Sequence, residues 1–233
     1  MAEFDFKRLS GKFVVFDGAD GCGKTTQMRR LMEKMEAAGV KVRQLREPGG
    51  TAIGEHIREV LLTSKGEGMD LRCEMLLYMA SRAQLVHDEI KPALEAGECV
   101  LADRYASSTL AYQGGGGGMS VEAILQVAEI AVDGAWPDLT VVFDLPTDMA
   151  MERLNPLWAG GRKKSDERQN ALFDDSAVKD RIEQRARDYF ERVRDNYRWQ
   201  AQKWPGRYRV VDASKSIAVV EKQVGKVLAE FFI

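Results

Sequence analysis

Gly18, Gly23, Lys24 and Thr25 stand at the fixed positions of G-x-x-x-x-G-K-[ST], with Ala19, Asp20, Gly21 and Cys22 between them and Thr26 after them. Glycines at 18, 21 and 23 let the backbone turn tightly, so that successive N–H groups point inward at phosphate oxygens and the following helix adds its positive N-terminal end. Lys24 offers a point charge to the β- and γ-phosphates of a nucleotide, and Thr25 a hydroxyl to Mg2+. Such a loop needs a strand before it and a helix after it. Phe13, Val14, Val15 and Phe16 form the apolar run of a buried strand, and Met28, Leu31, Met32 and Met35 recur at helical spacing. A glycine-rich turn that matches by accident is the weaker reading.

Other residues with chemical potential fall where strands end. Val40 to Leu45 reads as a second strand and runs into Arg46-Glu47-Pro48-Gly49-Gly50-Thr51, at the strand end where open α/β sheets bind ligands. The next helical stretch carries Ile53, Ile57, Val60 and Leu61 on one face, with Arg58 beside it. Thr63 to Met69 reads as a loop, and Asp70 as the N-cap of a helix over Leu71 to Val86, with Met75, Met79 and Val86 inward. Tyr78 and Arg82 lie four apart on that helix and point the same way. From spacing alone they are a surface aromatic beside a charge.

Glu98 to Ala102 is a third strand that delivers Asp103 and Arg104. A carboxylate there reaches Mg2+ or its waters, and an arginine grips phosphate bidentately; a surface ion pair is the plainer alternative. Ser107, Ser108, Thr109, Tyr112 and Gln113 add hydroxyls and an amide before five glycines, Gly114 to Gly118, which read as a loop over a ligand. Ser120 to Val132 is helical by pattern. Leu139 to Leu145 is a fourth strand, in which Asp144 reads as polar support rather than a metal ligand. Met149 to Leu154 starts a helix that stops at Asn155-Pro156. Residues 155–178 are dense in Gly, Lys, Arg, Asp and Asn, with Arg162, Lys163, Lys164 and Arg168 as the basic group. A solvated insertion explains that composition; in a phosphoryl-transfer enzyme it would be a mobile cationic lid. A long helix from Val178 to about Gln202, a fifth strand from Tyr208 to Val211 and a closing amphipathic helix complete the chain. Strands alternating with helices predict a single α/β domain with a five-stranded parallel sheet.

Composition narrows the function class. Lys and Arg total 34 against 36 Asp and Glu, a net charge of −2, so no global field draws the chain to nucleic acid. No apolar stretch is long enough to span a bilayer and the N-terminus lacks the apolar core of a signal peptide, which predicts a cytoplasmic protein. Cys22, Cys73 and Cys99 show no metal-ligand spacing, and Cys73 and Cys99 read as buried. Cys22 is an inert small side chain on the simpler reading. On the other, the loop amides stabilise its thiolate and oxidation blocks phosphate binding. A switch GTPase would need N-K-x-D, and no Asn-Lys dipeptide occurs.

Taken together, FDGADGCGKTT, REPGGT, EHIR, LLYMASRAQLV, DRYASSTLAYQGG, PDLTVVFDL and DRIEQ resemble the bacterial thymidylate kinases, which move the γ-phosphoryl group of ATP to dTMP with Mg2+. The alternatives are another P-loop nucleotide kinase and a nucleotide-dependent binding module without turnover. The resemblance implies a homodimer whose partners are dTMP and ATP, with the phosphate loop from Gly18 to Thr26 holding ATP. It implies that Tyr78, where the family usually has Phe, stacks on thymine and that Arg82 donates to thymine O4. It places Arg58 and Arg104 on the 5′-phosphate, Asp20 near the sugar 3′-hydroxyl, Ser108, Thr109 and Gln113 at the base, and Tyr112 where a ribose 2′-hydroxyl would go. Asp103 joins Thr25 at Mg2+. Asp17 stands where Glu is common and Gly117 where relatives often have Arg, and the segment from Arg153 to Asp180 exceeds the usual bacterial lid. Gly21 occupies the loop position of a catalytic Arg in the eukaryotic type, so the family pattern moves that cation to the lid. Arg162 is the expected catalytic residue there, with Lys24 and Arg104, and Arg153 and Arg181 are the other candidates.

Overall fold

The structure is a computed structural model that describes residues 4–62, 68–154 and 176–233. Most of the expected loop at 63–69, and the expected lid insert at 155–178 up to residue 175, lie outside the described residues. Five parallel strands form one sheet: β1 (Phe13–Gly18), β2 (Val42–Arg46), β3 (Cys99–Asp103), β4 (Leu139–Asp144) and β5 (Tyr208–Asp212), in the order β2-β3-β1-β4-β5. β2 and β3 begin later than their sequence patterns suggest, so Arg46 and Asp103 are strand residues.

β1 is buried along its whole length because helices cover both faces of the sheet. On one face Val14, Phe16, Val141 and Phe143 pack against Met28, Leu31 and Met35 of α1 (Lys24–Ala37) and Val220, Val224 and Leu228 of the last helix (Ile217–Phe231). The other face sets Phe13, Val15, Val100 and Ala102 against Leu85, Val86 and Ile90. Those residues end α3 (Leu71–Leu85) and fill a π-helical turn (Val86–Ile90); Asp70 caps α3 by accepting from the Arg72 amide. α2 (Ala52–Leu62) precedes α3, and α4 (Lys91–Glu95) leads into β3. After β3 come α5 (Ala106–Thr109), α6 (Val121–Val132), α7 (Thr147–Leu154) and α8 (Ser176–Lys203), so the closing helix is α9.

Two expectations are corrected. The glycine run is loop only at its end: Leu110–Gly116 forms a π-helical segment continuous with α5, and Gly117, in a turn, and Gly118 follow it outside the helix. Gly115 and Gly116 serve close approach of α8. A Cβ on Gly115 would stand 2.5 Å from Asn196 Cβ and 2.8 Å from the Arg192 carbonyl oxygen, and one on Gly116 would stand 2.5 Å from the Tyr189 ring. Arg192 donates to the Gly116 carbonyl at 3.1 Å, and Tyr189 to that of Tyr112 at 3.3 Å. Packing against a neighbouring helix offsets the backbone entropy that argued for a loop. Cys73 is exposed rather than buried, two residues before Met75 and so on the side of α3 away from the inward Met75 and Met79.

Candidate active site

The phosphate loop joins β1 to α1. Gly18 has φ 139°, and a Cβ there would lie 2.6 Å from the Phe143 carbonyl oxygen, so the strand can turn beside β4 only without a side chain. Lys24 is buried, and its Nζ donates to the carbonyls of Gly18 and Ala19, each at 3.2 Å, which curls the side chain back over the loop. Thr25 Oγ1 donates to Asp103 Oδ2 at 3.5 Å, and Asp103 Oδ1 is buried without a partner among the described residues. A hydroxyl beside an under-coordinated carboxylate is a donor set that suits a hard divalent cation. Burial raises the Asp103 carboxyl pKa, while Lys24 and Arg104 oppose it. Burial also raises the Cys22 thiol pKa, outweighing the nearby cations, which favours its inert reading.

A pocket over the loop is lined by Asp20, Gly21, Gly23, Lys24, Thr25, Thr26, Asp103 and Arg104. Next to it lies a second one, lined by Arg46, Glu47, Pro48, Arg58, Leu62, Tyr78, Ser108, Thr109, Tyr112 and Gln113 and again by Asp20, Asp103 and Arg104. The three shared residues form the seam between them. Arg104 Nη2 donates to Asp20 Oδ1 at 2.5 Å and to the Tyr112 hydroxyl at 3.2 Å; Nη1 donates to Ser108 Oγ at 3.0 Å and to the Gly18 carbonyl at 3.2 Å. Its φ of 74° lies in the left-handed region, an uncommon place for a side-chain-bearing residue. Gln113 Nε2 donates to Glu74 at 2.6 Å, and Arg58 to the Pro48 carbonyl at 2.7 Å.

Of the sequence-predicted dTMP residues, Asp20, Arg58, Tyr78, Arg104, Ser108, Thr109, Tyr112 and Gln113 line the second pocket together. Arg82 does not. Its side chain is 1% exposed, Nη2 pairs with Glu47 Oε2 at 2.5 Å, and Nη1 reaches Thr109 Oγ1 at 3.3 Å and Met79 Sδ at 3.0 Å. A buried guanidinium is held where carboxylate and ring compensate it, here Glu47 and the face of Tyr105 at 5.1 Å. Glu47 and Thr109, its partners, are the wall residues. Burial pushes the Glu47 carboxyl up to about 7, against the pull of Arg82.

Sequence reasoning placed Arg46, Glu47 and Pro48 at a ligand-binding strand end without giving them a role, missed Leu62, and noted Asp17 only as standing where Glu is common. Asp17 is fully buried and accepts from Ser107 Oγ (2.5 Å), Ser108 Oγ (2.7 Å), the Tyr197 hydroxyl (2.6 Å) and the Gly18 amide (2.9 Å). The available signal was an acidic residue inside an apolar strand, which is buried only with several donors. Asp144 is the support it was read as, accepting from Arg194 at 2.6 and 2.9 Å. Arg153 donates to the Gly21 carbonyl at 3.1 Å. Arg162 lies outside the described residues, and the side chain of Arg181 is likewise not described.

The family model described as thymidylate kinase matches residues 16–224. The thymidylate kinase of Pseudomonas syringae pv. tomato is 41% identical over 222 residues, covering 95% of this chain and 97% of that protein. That of Pelotomaculum thermopropionicum is 42% identical over 222 residues, covering 95% and 94%. The crystal structure of thymidylate kinase from Ehrlichia chaffeensis is similar in fold, with a TM-score of 0.69 at 31% identity, covering 93% of this chain and 97% of that one. A phosphate loop beside a second pocket, in a chain matched nearly end to end, leaves one assignment: the chain belongs to the thymidylate kinase family.

Proposed function

We propose that this chain transfers the γ-phosphoryl group of ATP to the 5′-phosphate of dTMP, giving dTDP. The observation that carries the reading is the pair of pockets meeting at Asp20, Asp103 and Arg104, a donor site and an acceptor site with one cation between them. Residues Gly18 to Thr26 hold the ATP phosphates through backbone amides, and Lys24 turns from the Gly18 and Ala19 carbonyls to the β- and γ-phosphates. Arg104 exchanges Asp20 for the acceptor phosphate, with Arg58 beside it in the same pocket. Tyr78 supplies an aromatic wall for the base, and Thr109 and Gln113 supply polar groups. Thr25 and Asp103 would hold Mg2+, which when bound screens charge on the phosphates.

The acceptor oxygen is already anionic at neutral pH, so transfer is direct and in line, without a covalent enzyme intermediate or a strong general base. The chain works by positioning and by cationic stabilisation from Lys24, Arg104 and one further arginine, Arg162, with Arg153 and Arg181 as the other candidates. We place this activity in the cytoplasm and in a homodimer. No described helix is long and apolar enough to cross a membrane, and α2, α3 and α6 carry exposed Ile53, Leu76 and Ile130.

A coupled assay for ADP release, run with dTMP, dUMP, dCMP, dAMP and dGMP, tests the substrate. dTMP should be preferred to dCMP in kcat/KM if the pocket beside Tyr78 reads the base. Equal use of dCMP sinks the base assignment, and ADP release independent of any acceptor sinks the kinase reading. Light scattering after size exclusion reads the oligomeric state.

A further inference from the structure

Tyr197 lies far along the chain from the phosphate loop, yet its hydroxyl sits among the groups that hold Arg104. It donates to Asp17 Oδ1 at 2.6 Å, lies 3.0 Å from Ser108 Oγ and accepts from Arg104 Nη1 at 3.4 Å. Its ring is 2% exposed and packs edge-on against Tyr112, whose own ring has the Arg104 guanidinium carbon 5.1 Å from its centroid. Tyr197 therefore meets Arg104 through its hydroxyl, through Asp17 and through Tyr112.

Asp17 explains why the hydroxyl matters. The carboxylate has no exposed surface, stands 3.5 Å from Arg104 Nη1, and is held by two serine hydroxyls, one amide and one phenol. Gly18 and the two serines belong to the sheet end and α5; the phenol alone comes from α8. α8 is fixed at that point. Arg194 is bidentate on Asp144, Gln200 donates to the Ser107 carbonyl at 3.0 Å, and Arg192 holds the Gly116 carbonyl. A guanidinium on a residue with φ 74° keeps its direction only where surrounding contacts over-determine it.

We infer that Tyr197 is a positioning residue for the acceptor phosphate: from α8 its hydroxyl fixes Asp17 and, through it, aims the Arg104 guanidinium at the 5′-phosphate of the bound nucleotide. The inference rests on the reading of Arg104 as the phosphate-binding cation. It assigns Tyr197 no contact with substrate, so its effect appears only on ligands that carry the phosphate.

Tyr197→Phe removes the hydroxyl and keeps the ring. Calorimetric titration of the wild-type protein and the variant with dTMP and with thymidine, which lacks the phosphate, reads the effect. dTMP affinity should fall roughly tenfold, the scale of a hydrogen bond to a charged group, while thymidine affinity stays within about twofold. In steady state, KM for dTMP should rise and KM for ATP should hold. Asp17→Asn should give the same phosphate-selective loss, and a thermal melt of each variant fixes the folded fraction used in the titration. A variant that keeps the wild-type ratio of dTMP to thymidine affinity, or weakens both ligands equally, overturns the proposal and leaves Tyr197 a packing residue. Wild-type protein with no preference for dTMP over thymidine removes the Arg104 assignment, and this proposal with it.

Discussion

Arg104 at the end of the third strand is tied to Asp20 of the phosphate loop across 2.5 Å, so the cation proposed for the acceptor is held by the loop proposed for the donor. An incoming phosphate competes with a half-exposed carboxylate and can displace it, whereas Asp17 behind the guanidinium stays in place. Arg104→Ala should raise KM for dTMP and lower kcat by about a hundredfold or more, as expected when a transition-state cation is lost. Arg104→Lys should recover little of this, because a point charge cannot reproduce the planar fork that serves Asp20, Ser108 and Tyr112 together. Full kinetics in both substrates check it, and lysine restoring wild-type kcat contradicts the bidentate role.

Lys24→Ala should reduce kcat by about a thousandfold or more, since the ammonium acts on charge that develops in the transition state. dTMP binding should be nearly unchanged, because Lys24 lines the loop pocket and not the second one. Calorimetry with dTMP alone separates the two effects. Wild-type turnover in the purified variant would end the phosphate-loop assignment.

Glu47 gives the protein a pH dependence of known sign. Its carboxyl is pushed by burial up to about 7 in the folded chain, so from the ordinary carboxylate range to about 7 the folded state holds a proton that the unfolded state has shed. Stability should therefore fall as pH rises through that window and level off above it, with a slope of at most about 1.4 kcal/mol per pH unit from this group. Glu47→Gln keeps the size of the side chain and cannot titrate, so its stability profile should lose that slope. Urea titrations at several pH values between 4.5 and 7.5 read the difference. Parallel profiles for both proteins would show that Glu47 does not titrate there.

Gly115→Ala should destabilise the protein by about 1–3 kcal/mol, the usual cost of forcing an extra methyl into a packed interface. The added Cβ meets Asn196 Cβ and the Arg192 backbone of α8, neither of which can swing aside. Gly225→Ala in α9 meets nothing within 4 Å and should add about 0.5–1 kcal/mol of stability through helix propensity. The urea midpoints should thus move in opposite directions. Tolerance of both substitutions would restore the loop reading of the glycine run.

The catalytic arginine beyond the loop is open to a direct comparison. Arg162→Ala should lower kcat far more than it raises KM for dTMP, as the loss of a transition-state contact does. Arg153→Ala should have the smaller effect, because its guanidinium is engaged with the Gly21 and Ala213 carbonyls. Collapse of kcat in Arg153→Ala alone moves the role to α7.

What was legible in the sequence is what local pattern encodes. The phosphate loop, the five strands and the inward methionines of α3 follow from spacing within about a dozen residues, and a helix cap such as Asp70 needs only its neighbours. Strand ends drifted by a residue or two, because an apolar run does not say where pairing begins. The misses involve partners far apart in sequence. Asp17 meets Tyr197, Glu47 meets Arg82, and Gly115 meets Asn196 only after the chain has folded. Before that, a buried acid reads as a neutral variant, an arginine reads as facing a ligand, and glycines read as a loop.

The strand order also bears on how the chain acquires activity. β1, which leads into the phosphate loop, has no sequence-adjacent strand beside it: Val14 pairs with Leu101 on one side and Leu139 on the other. Asp103 reaches Thr25 only when Phe16 is in register with it, and a slip of one residue would turn that carboxylate to the opposite face. Nucleotide binding is therefore not a property of an early N-terminal fragment, even though its signature lies near the start of the chain. It arrives with the non-local closure of the sheet centre, the slow class of folding event, so during synthesis or refolding strand content should precede the ability to bind ATP.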